Sequence, residues 1–149
     1  MKKIVAAVDF SPLSAAVIDH AATLASAFSA RILLLHAAAP DPDFVGYEVG
    51  PQNVRDARAE TLRYERRELQ QRAEELRGRG LTAEALLVEG PTVDTILSVA
   101  STNGADLLVV GSHGHGAVAR AFLGSVSTGI VHHSPIPVLV IPMPGRGDA

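Results

Sequence analysis

The chain has 149 residues, which corresponds to one domain of ordinary size rather than two. Hydrophobic residues make up 47% of it and charged residues 19%, so it can bury a core and is not a disordered segment. The net charge of −3 disfavours nucleic acid and anionic membranes as main partners, and the absence of cysteine excludes disulfides and thiolate chemistry.

The N-terminus superficially resembles a signal peptide, because Lys2 and Lys3 precede an apolar stretch. Asp9 interrupts that stretch after Ile4–Val8, which is too short for the apolar region of a signal peptide. No uncharged apolar segment approaches the ~20 residues that a membrane-spanning helix needs. We therefore expect a cytoplasmic protein with no membrane contact.

The first part of the chain predicts a strand, a helix and a second strand. Ile4–Val8 is apolar on both faces, which is typical of a buried strand. Ser11–Pro12 supplies a helix N-cap followed by proline, and predicts a helix over residues 12–28. Ile32–Leu35 is the second predicted strand. Helical spacing gives the first helix a core face of Val17, Ala21, Leu24 and Phe28.

A loop and a long charged helix follow. Residues 38–53 contain three prolines and two glycines, and predict the longest irregular loop of the chain. Val54–Arg79 predicts a helix that ends at Gly78 and Gly80. Its eight arginines are interleaved with six acidic residues, so we expect a solvated helix surface rather than an anion-binding one. Its predicted core face consists of Leu62, Leu69, Ala73 and Leu76.

The second half continues the alternation of strands and helices. Leu81–Val88 predicts a strand, and Pro91 opens a short helix with Val93, Ile96, Leu97 and Ala100 inward. The remaining predicted elements are a strand at Leu107–Val110, a helix at Ser125–His133 and a strand at Ile136–Ile141. This order indicates an α/β fold, a doubly wound parallel sheet with helices on both faces.

The order of the strands directs attention to one edge of the sheet. Ligands of such sheets bind at the carboxyl ends of the strands, where the strand order reverses. If the first strand is central and the fourth lies beside it, this crevice lies between Asp9 and Gly111. Both positions follow an apolar strand directly.

Glycines and serines cluster after the fourth strand. Gly111–Gly116 has the sequence GSHGHG, and Gly124 precedes the last helix. Glycines permit close backbone approach and positive φ, and the free N–H groups of a helix start suit a phosphate. The hydroxyls of Ser125 and Ser127 add two donors that we expect to point the same way. The plainer alternative is that the glycines form tight turns and Ser125 is an ordinary N-cap. The glycines after the fourth strand and the serines at the helix start occur together, which favours an anion site.

Two common phosphate motifs do not match this pattern. The Walker motif needs a lysine, and the only lysines are Lys2 and Lys3. The dinucleotide motif GxGxxG is absent, because the glycines after the strand run GxxGxG. The spacing instead resembles that of nucleotide-binding universal stress proteins, G-x2-G-x9-G-[ST]. Every position of that pattern is matched, by Gly111, Gly114, Gly124 and Ser125.

The resemblance extends over essentially the whole chain. Four further segments match the family at the exits of strands, before the third helix and near the end of the domain. They are Val8–Ser11, Leu34–His36, Gly90–Pro91 and Pro137–Val140. It implies a single universal stress protein domain over residues 1–149. The implied fold is the adenine-nucleotide α-hydrolase-like form of the doubly wound sheet, with five parallel strands in the order 3-2-1-4-5.

The resemblance also implies a ligand, ATP, and a role for each site residue. Asp9 would accept hydrogen bonds from the ribose hydroxyls, and the main chain near Ala7 and Ala37 would hold the adenine. Val110 would pack against the nucleoside. The phosphates would lie on Gly111, Gly114, Gly124, Ser125, Val126 and Ser127, with Mg²⁺ as the ion expected on them.

Several residues keep alternative interpretations. Asp9 could be a turn residue that caps the first helix. A phospho-acceptor role for Asp9 lacks the acidic cluster and the lysine that such a site needs. His113 and His115 could bind a metal, but no carboxylate neighbours them in sequence, so we favour hydrogen bonds to phosphate or water.

The last strand predicts a dimer contact. We expect it at an edge of the sheet, flanked by prolines that limit further pairing. The family commonly dimerises by pairing this strand across a two-fold axis, which would place Val138, Leu139, Val140 and Ile141 at a homodimer interface. The alternative is an edge covered by the short C-terminal tail.

Together with the glycine loop, the resemblance implies an ATP-binding regulatory protein of the stress response. No positioned base, acid pair or lysine accompanies the glycine loop, so we expect slow ATP hydrolysis at most and assign no catalytic residue. The alternatives are a nucleotide-free dimeric interaction module and a weak ATPase.

Overall fold

The computed structural model describes residues 1–39, 52–113 and 123–144. Strands and helices alternate along these residues, and the strands form one parallel sheet in the order β3-β2-β1-β4-β5, as predicted. The elements are β1 (Lys3–Ala7), α1 (Ser14–Phe28), β2 (Arg31–Ala38), α2 (Gln52–Gly78), β3 (Ala83–Glu89), α3 (Thr92–Thr102), β4 (Leu107–Gly111), α4 (Ser125–His133) and β5 (Val138–Ile141).

β1 is the fixed centre of the sheet. It pairs with β2 on one side and β4 on the other, and Ile4, Val5 and Ala6 are completely buried. Burying an aliphatic side chain such as that of Ile4 contributes about 1.5–3 kcal/mol, which explains why this short strand has no polar side chain after Lys3. Its carboxyl end is therefore anchored between two neighbouring strands.

The helices cover both faces of the sheet. α1 and α2 share a core with Ile4 and Ala6 on one face. α3 and α4 cover the opposite face, where Ile96 and Ile130 pack around Val5. None of the helices in the described part of the chain is both long and apolar enough to cross a membrane.

α1 differs from its prediction at both ends. It begins at Ser14 rather than at residue 12, because the chain first forms a turn in which the Ser14 N–H donates to the carbonyl of Ser11. Phe28 is 54% exposed and does not belong to the core face. The buried stripe of α1 consists of Ser14, Val17, Ile18, Ala21, Ala22 and Ala25, whose mostly small side chains let the helix approach the sheet closely.

The two halves of α2 are packed differently. Leu69, Ala73 and Leu76 are buried in its C-terminal half, whereas none of residues 52–68 is buried. Leu62, which we predicted in the core, is half-buried. The N-terminal half of α2 extends past the core, over the carboxyl ends of the strands.

β5 lies at the edge of the sheet, as predicted, and is shorter than expected. It begins at Val138 rather than at residue 136 and, among the residues that the structure describes, pairs with β4 only. The main-chain N–H groups of Leu108 and Ser112 donate to the carbonyls of Pro137 and Ile141. Pairing of a second copy of the chain with the outer side of β5 remains a prediction.

Candidate functional site

A cleft of about 900 Å³ lies at the carboxyl ends of β1, β2 and β4. Asp9 and Gly111 both line it, so the crevice lies where the sequence predicted it. The predicted site residues that line it are Ala7, Asp9, Ala37, Val110, Gly111, Gly124, Ser125, Val126 and Ser127. Gly114 and His115 lie outside the described residues.

Asp9 is held in a turn at the exit of β1. Its Oδ1 atom accepts hydrogen bonds from the main-chain N–H of Ser11 (2.9 Å) and the hydroxyl of Ser14 (3.2 Å). The turn role that we considered as an alternative is therefore real. It does not compete with a ligand-binding role, because the same bonds fix the orientation of a carboxylate that lines the cleft.

Two glycines allow close approach of the segments around β4, Gly111 towards Leu13 before α1 and Gly124 towards Ser112 after β4. A Cβ atom at Gly111 would lie 2.8 Å from Cδ2 of Leu13, and one at Gly124 would lie 3.3 Å from the carbonyl oxygen of Ser112. Neither glycine has a positive φ, so that part of the glycine interpretation is wrong for these two positions. Their function is to let the backbone of β4 contact the start of α1 and of α4.

The first turn of α4 faces the cleft. Gly124 is its N-cap, and Ser125 and Val126 are exposed and line the cleft. The first N–H groups of a helix have no acceptor within the helix and carry a partial positive charge, which makes this turn a suitable contact for an anion.

Ser127 differs from its prediction. Its side chain is only 4% exposed, and its hydroxyl donates to the carbonyl oxygens of Gly111 (2.6 Å) and Ser112 (3.0 Å). This hydroxyl links α4 to β4 and does not add a donor to the cleft. A contact between phosphate and the main-chain N–H of Ser127 remains a prediction.

Small and apolar residues also line the cleft. Ala7 is the last residue of β1 and Ala37 the penultimate residue of β2; both are partly buried, and Val110 is 4% exposed. All three line the cleft, and their short side chains leave main-chain atoms within reach of a ligand.

One wall of the cleft was not predicted. Arg58, Thr61, Tyr64 and Glu65 of α2 line it, although the charge pattern of this helix indicated a solvated surface. The sequence signal for this wall is the spacing along α2. Thr61 and Glu65 lie at intervals of four residues on the helix face that carries the buried Leu69 and Ala73. Arg58 is held near the strand ends by the Ala39 carbonyl and by Glu89, 3.7 Å away.

His36 connects this wall to the exit of β1. Its side chain is buried, with Nδ1 2.8 Å from the carbonyl oxygen of Val8 and Nε2 3.0 Å from Oε2 of Glu65. The Phe10 ring packs against the imidazole, with 4.8 Å between the ring centroids. Phe10 itself has a φ of 61°, a left-handed conformation that costs a residue with a side chain about 1–2 kcal/mol.

The described residues show no metal site. No three or more His, Asp or Glu side chains among them are grouped closely enough to hold a metal ion. His113 lines the cleft, and its Nδ1 lies 2.9 Å from the hydroxyl oxygen of Ser112.

The chain matches the model of the universal stress protein family over residues 1–142. It is similar to the universal stress protein in QAH/OAS sulfhydrylase 3′ region of Thermus aquaticus, with 39% identity over 118 residues, 78% of this chain and 81% of the relative. This relative supports the assignment of family independently of the fold.

Three solved structures share the fold. Hypothetical protein MJ0577 superimposes with a TM-score of 0.83 at 23% identity, covering 97% of this chain and 98% of its own. A universal stress protein in complex with cAMP has a TM-score of 0.64 at 26% identity, with 94% and 95% covered. The Archaeoglobus fulgidus universal stress protein in complex with dAMP has a TM-score of 0.63 at 22% identity, with 95% and 97% covered.

Two of these structural neighbours thus bind adenine nucleotides. The match to the family model, the identity to the Thermus aquaticus protein and the order of the strands agree with one another. The chain belongs to the universal stress protein family.

Proposed function

We propose that this protein binds ATP in the cleft and acts as a nucleotide-dependent regulatory switch of the stress response. Mg²⁺ is the ion expected on the phosphates of ATP. The observation that carries the proposal is that the first turn of α4 lines the same cleft as Asp9. An anion-binding helix start and a carboxylate acceptor in one cleft match the two ends of a ribose phosphate.

The polar groups support an orientation for the nucleotide. The phosphates lie on the N–H groups of Ser125, Val126 and Ser127, where the helix dipole favours negative charge. Asp9 accepts hydrogen bonds from the ribose hydroxyls, since a carboxylate repels phosphate and attracts hydroxyl donors. The base lies near Ala7 and Ala37, and the cAMP complex of a family member supports an adenine ring in this fold.

The first experiment identifies the nucleotide that the protein retains. The full chain is purified without added nucleotide and denatured, and the supernatant is analysed by chromatography and mass spectrometry. We expect ATP. ADP or AMP would favour the weak ATPase that we considered as an alternative, and no nucleotide would favour the interaction module, unless added ATP binds in calorimetry.

Gly124 gives the sharper test. Gly124→Asp places a carboxylate against the phosphates, and we expect it to lower ATP affinity by about 100-fold or more, because the like charges meet in a partly dehydrated cleft. Gly124→Ala is the matched control. Its methyl group meets the Ser112 carbonyl at 3.3 Å and needs only a small shift, so we expect a modest loss. Equal affinities for the Asp variant and the wild type, measured by calorimetry, would contradict the site.

The protein is further proposed to be a homodimer that works in the cytoplasm. The support for the dimer is the position of β5 at the edge of the sheet, with Val138, Leu139 and Val140 only partly buried. An unpaired apolar edge strand offers main-chain donors and acceptors to a second copy of itself.

A further inference from the structure

Both ring nitrogens of His36 have a partner. The Val8 carbonyl oxygen only accepts, so Nδ1 carries the hydrogen of that 2.8 Å bond. Nε2 lies 3.0 Å from Oε2 of Glu65. The imidazole is therefore held between the exit of β1 and α2.

His36 also contacts the two residues that flank Asp9. It bonds to the carbonyl of Val8 on one side, and its ring packs against Phe10 on the other. Phe10 has the left-handed φ of 61° that turns the chain directly after Asp9, and such a conformation persists only where the surroundings hold it. The imidazole is thus a support for the backbone segment that carries the Asp9 carboxylate.

Glu65 holds that support in place from α2. None of residues 52–68 is buried, so this half of α2 is attached to the strand ends through polar contacts such as those of Arg58 and Glu65. Without the Glu65 carboxylate the imidazole loses its anchor on α2 and keeps the one at Val8.

We propose that the His36–Glu65 pair is a positioning element that aims Asp9 at the ribose hydroxyls. This inference rests on the proposed nucleotide binding and assigns a role to two residues that do not touch the phosphates. It makes recognition of the ribose dependent on the pair, whereas recognition of the phosphates is not affected by it.

The other titratable groups of the cleft stay the same in the test. Among the described residues that line it, they are Asp9 on the β1 exit, Arg58 and Tyr64 on α2, and His113 after β4. Glu89 at the end of β3 pairs with Arg58, and α1 presents the uncharged Ser14 and Val17 to the cleft. A substitution of Glu65 alone therefore tests the His36–Glu65 pair without changing any of these other groups.

The experiment compares ATP with 2′,3′-dideoxy-ATP by calorimetry. The ratio of the two affinities measures recognition of the ribose hydroxyls, since the two compounds share the base and the triphosphate. For the wild type we expect ATP to bind about 10-fold or more tightly than the dideoxy compound. Asp9→Asn should lower the ratio.

Two variants of Glu65 separate positioning from general damage. Glu65→Ala should reduce the ratio towards one while the affinity for dideoxy-ATP stays unchanged. Glu65→Gln keeps an amide group that can hydrogen-bond to Nε2 of His36, so it should keep a high ratio. Circular dichroism and unfolding temperature check that both variants are folded.

The outcomes distinguish the inference from the proposed function. A Glu65→Ala ratio equal to that of the wild type, an equal loss of both nucleotides, or a Glu65→Gln ratio as low as that of Glu65→Ala would overturn the inference and leave nucleotide binding intact. A wild-type ratio near one would overturn it together with the role of Asp9. Absence of binding of either nucleotide to the wild type would overturn the proposed function itself.

Discussion

Ser125 and Ser127, two residues apart in the first turn of α4, face different surroundings. Ser125 is exposed and lines the cleft, whereas Ser127 is buried and donates to the carbonyls of Gly111 and Ser112. A single turn of helix thus combines one side chain that lines the cleft with one that fixes the turn to β4. Removal of the Ser125 hydroxyl should therefore affect ligand binding, and removal of the Ser127 hydroxyl should affect stability.

We therefore expect Ser125→Ala to lower ATP affinity by about 10-fold with no change in stability, because a hydrogen bond to a charged phosphate is lost. Ser127→Ala should lower the free energy of unfolding by about 1–3 kcal/mol, because the Gly111 carbonyl loses this hydroxyl donor, whereas the Ser112 carbonyl keeps the Gly124 N–H. Calorimetry and urea unfolding of both variants measure the two effects. Equal loss of stability in both variants would contradict this division.

Among the elements, β5 has main-chain groups that alternate between an inner edge facing β4 and an outer edge facing away from the sheet. The donors of β4 reach the carbonyls of Pro137 and Ile141, so the odd-numbered residues of β5 direct their main-chain groups towards β4. The main-chain groups of Val138 and Val140 consequently point away from the sheet. This alternation allows the outer edge to be changed without disturbing the inner one.

Val140→Pro removes one outward N–H group and adds a ring that blocks strand pairing, and proline is tolerated on an edge strand. We expect this variant to sediment as a monomer and to bind ATP as the wild type does. Val140→Thr, which keeps the N–H group and the β-branched shape, is the control and should remain a dimer. A dimer in both variants would mean that β5 is not the contact.

For the whole molecule, a switch requires that nucleotide changes more than the residues that touch it. We expect ATP to slow hydrogen exchange in residues 38–53 and 111–125, because binding adds donors and acceptors at the mouth of the cleft. The measurement is mass spectrometry of peptides from the protein with and without saturating ATP. Unchanged exchange in both segments would exclude the switch even if the nucleotide binds.

The sequence predicts those features of the molecule that depend on residues close together in the chain. The first buried strand, predicted at Ile4–Val8, and the start of α4 at Ser125 follow from local patterns of apolar residues and glycines. The structure contains both, with the strand shifted by one residue to Lys3–Ala7. The crevice between Asp9 and Gly111 follows from a general rule about parallel sheets.

The remaining features depend on where distant segments meet. Ser127 donates to Gly111 and Ser112 because the crossing of α4 over β4 brings their carbonyls to its hydroxyl, and no local pattern contains that distance. Arg58 and Glu65 face the cleft because α2 extends past the core by a length that only the assembled sheet defines. The left-handed Phe10 likewise packs against His36, which lies 26 positions further along the chain.

The origin of the cleft walls has a consequence for folding. They come from segments as far apart as Ala7 and Ile130, and the central pairing joins Ile4 with Leu107. Parallel pairings over such long stretches of chain form slowly, since the intervening loop must close first. A partly folded chain that lacks the β1–β4 pairing has no cleft, so a ligand of this cleft selects the completed fold. At a concentration 100 times its Kd, such a ligand adds about 2.7 kcal/mol to the stability of that fold. Retained ligand is therefore also a marker of chains that have finished folding.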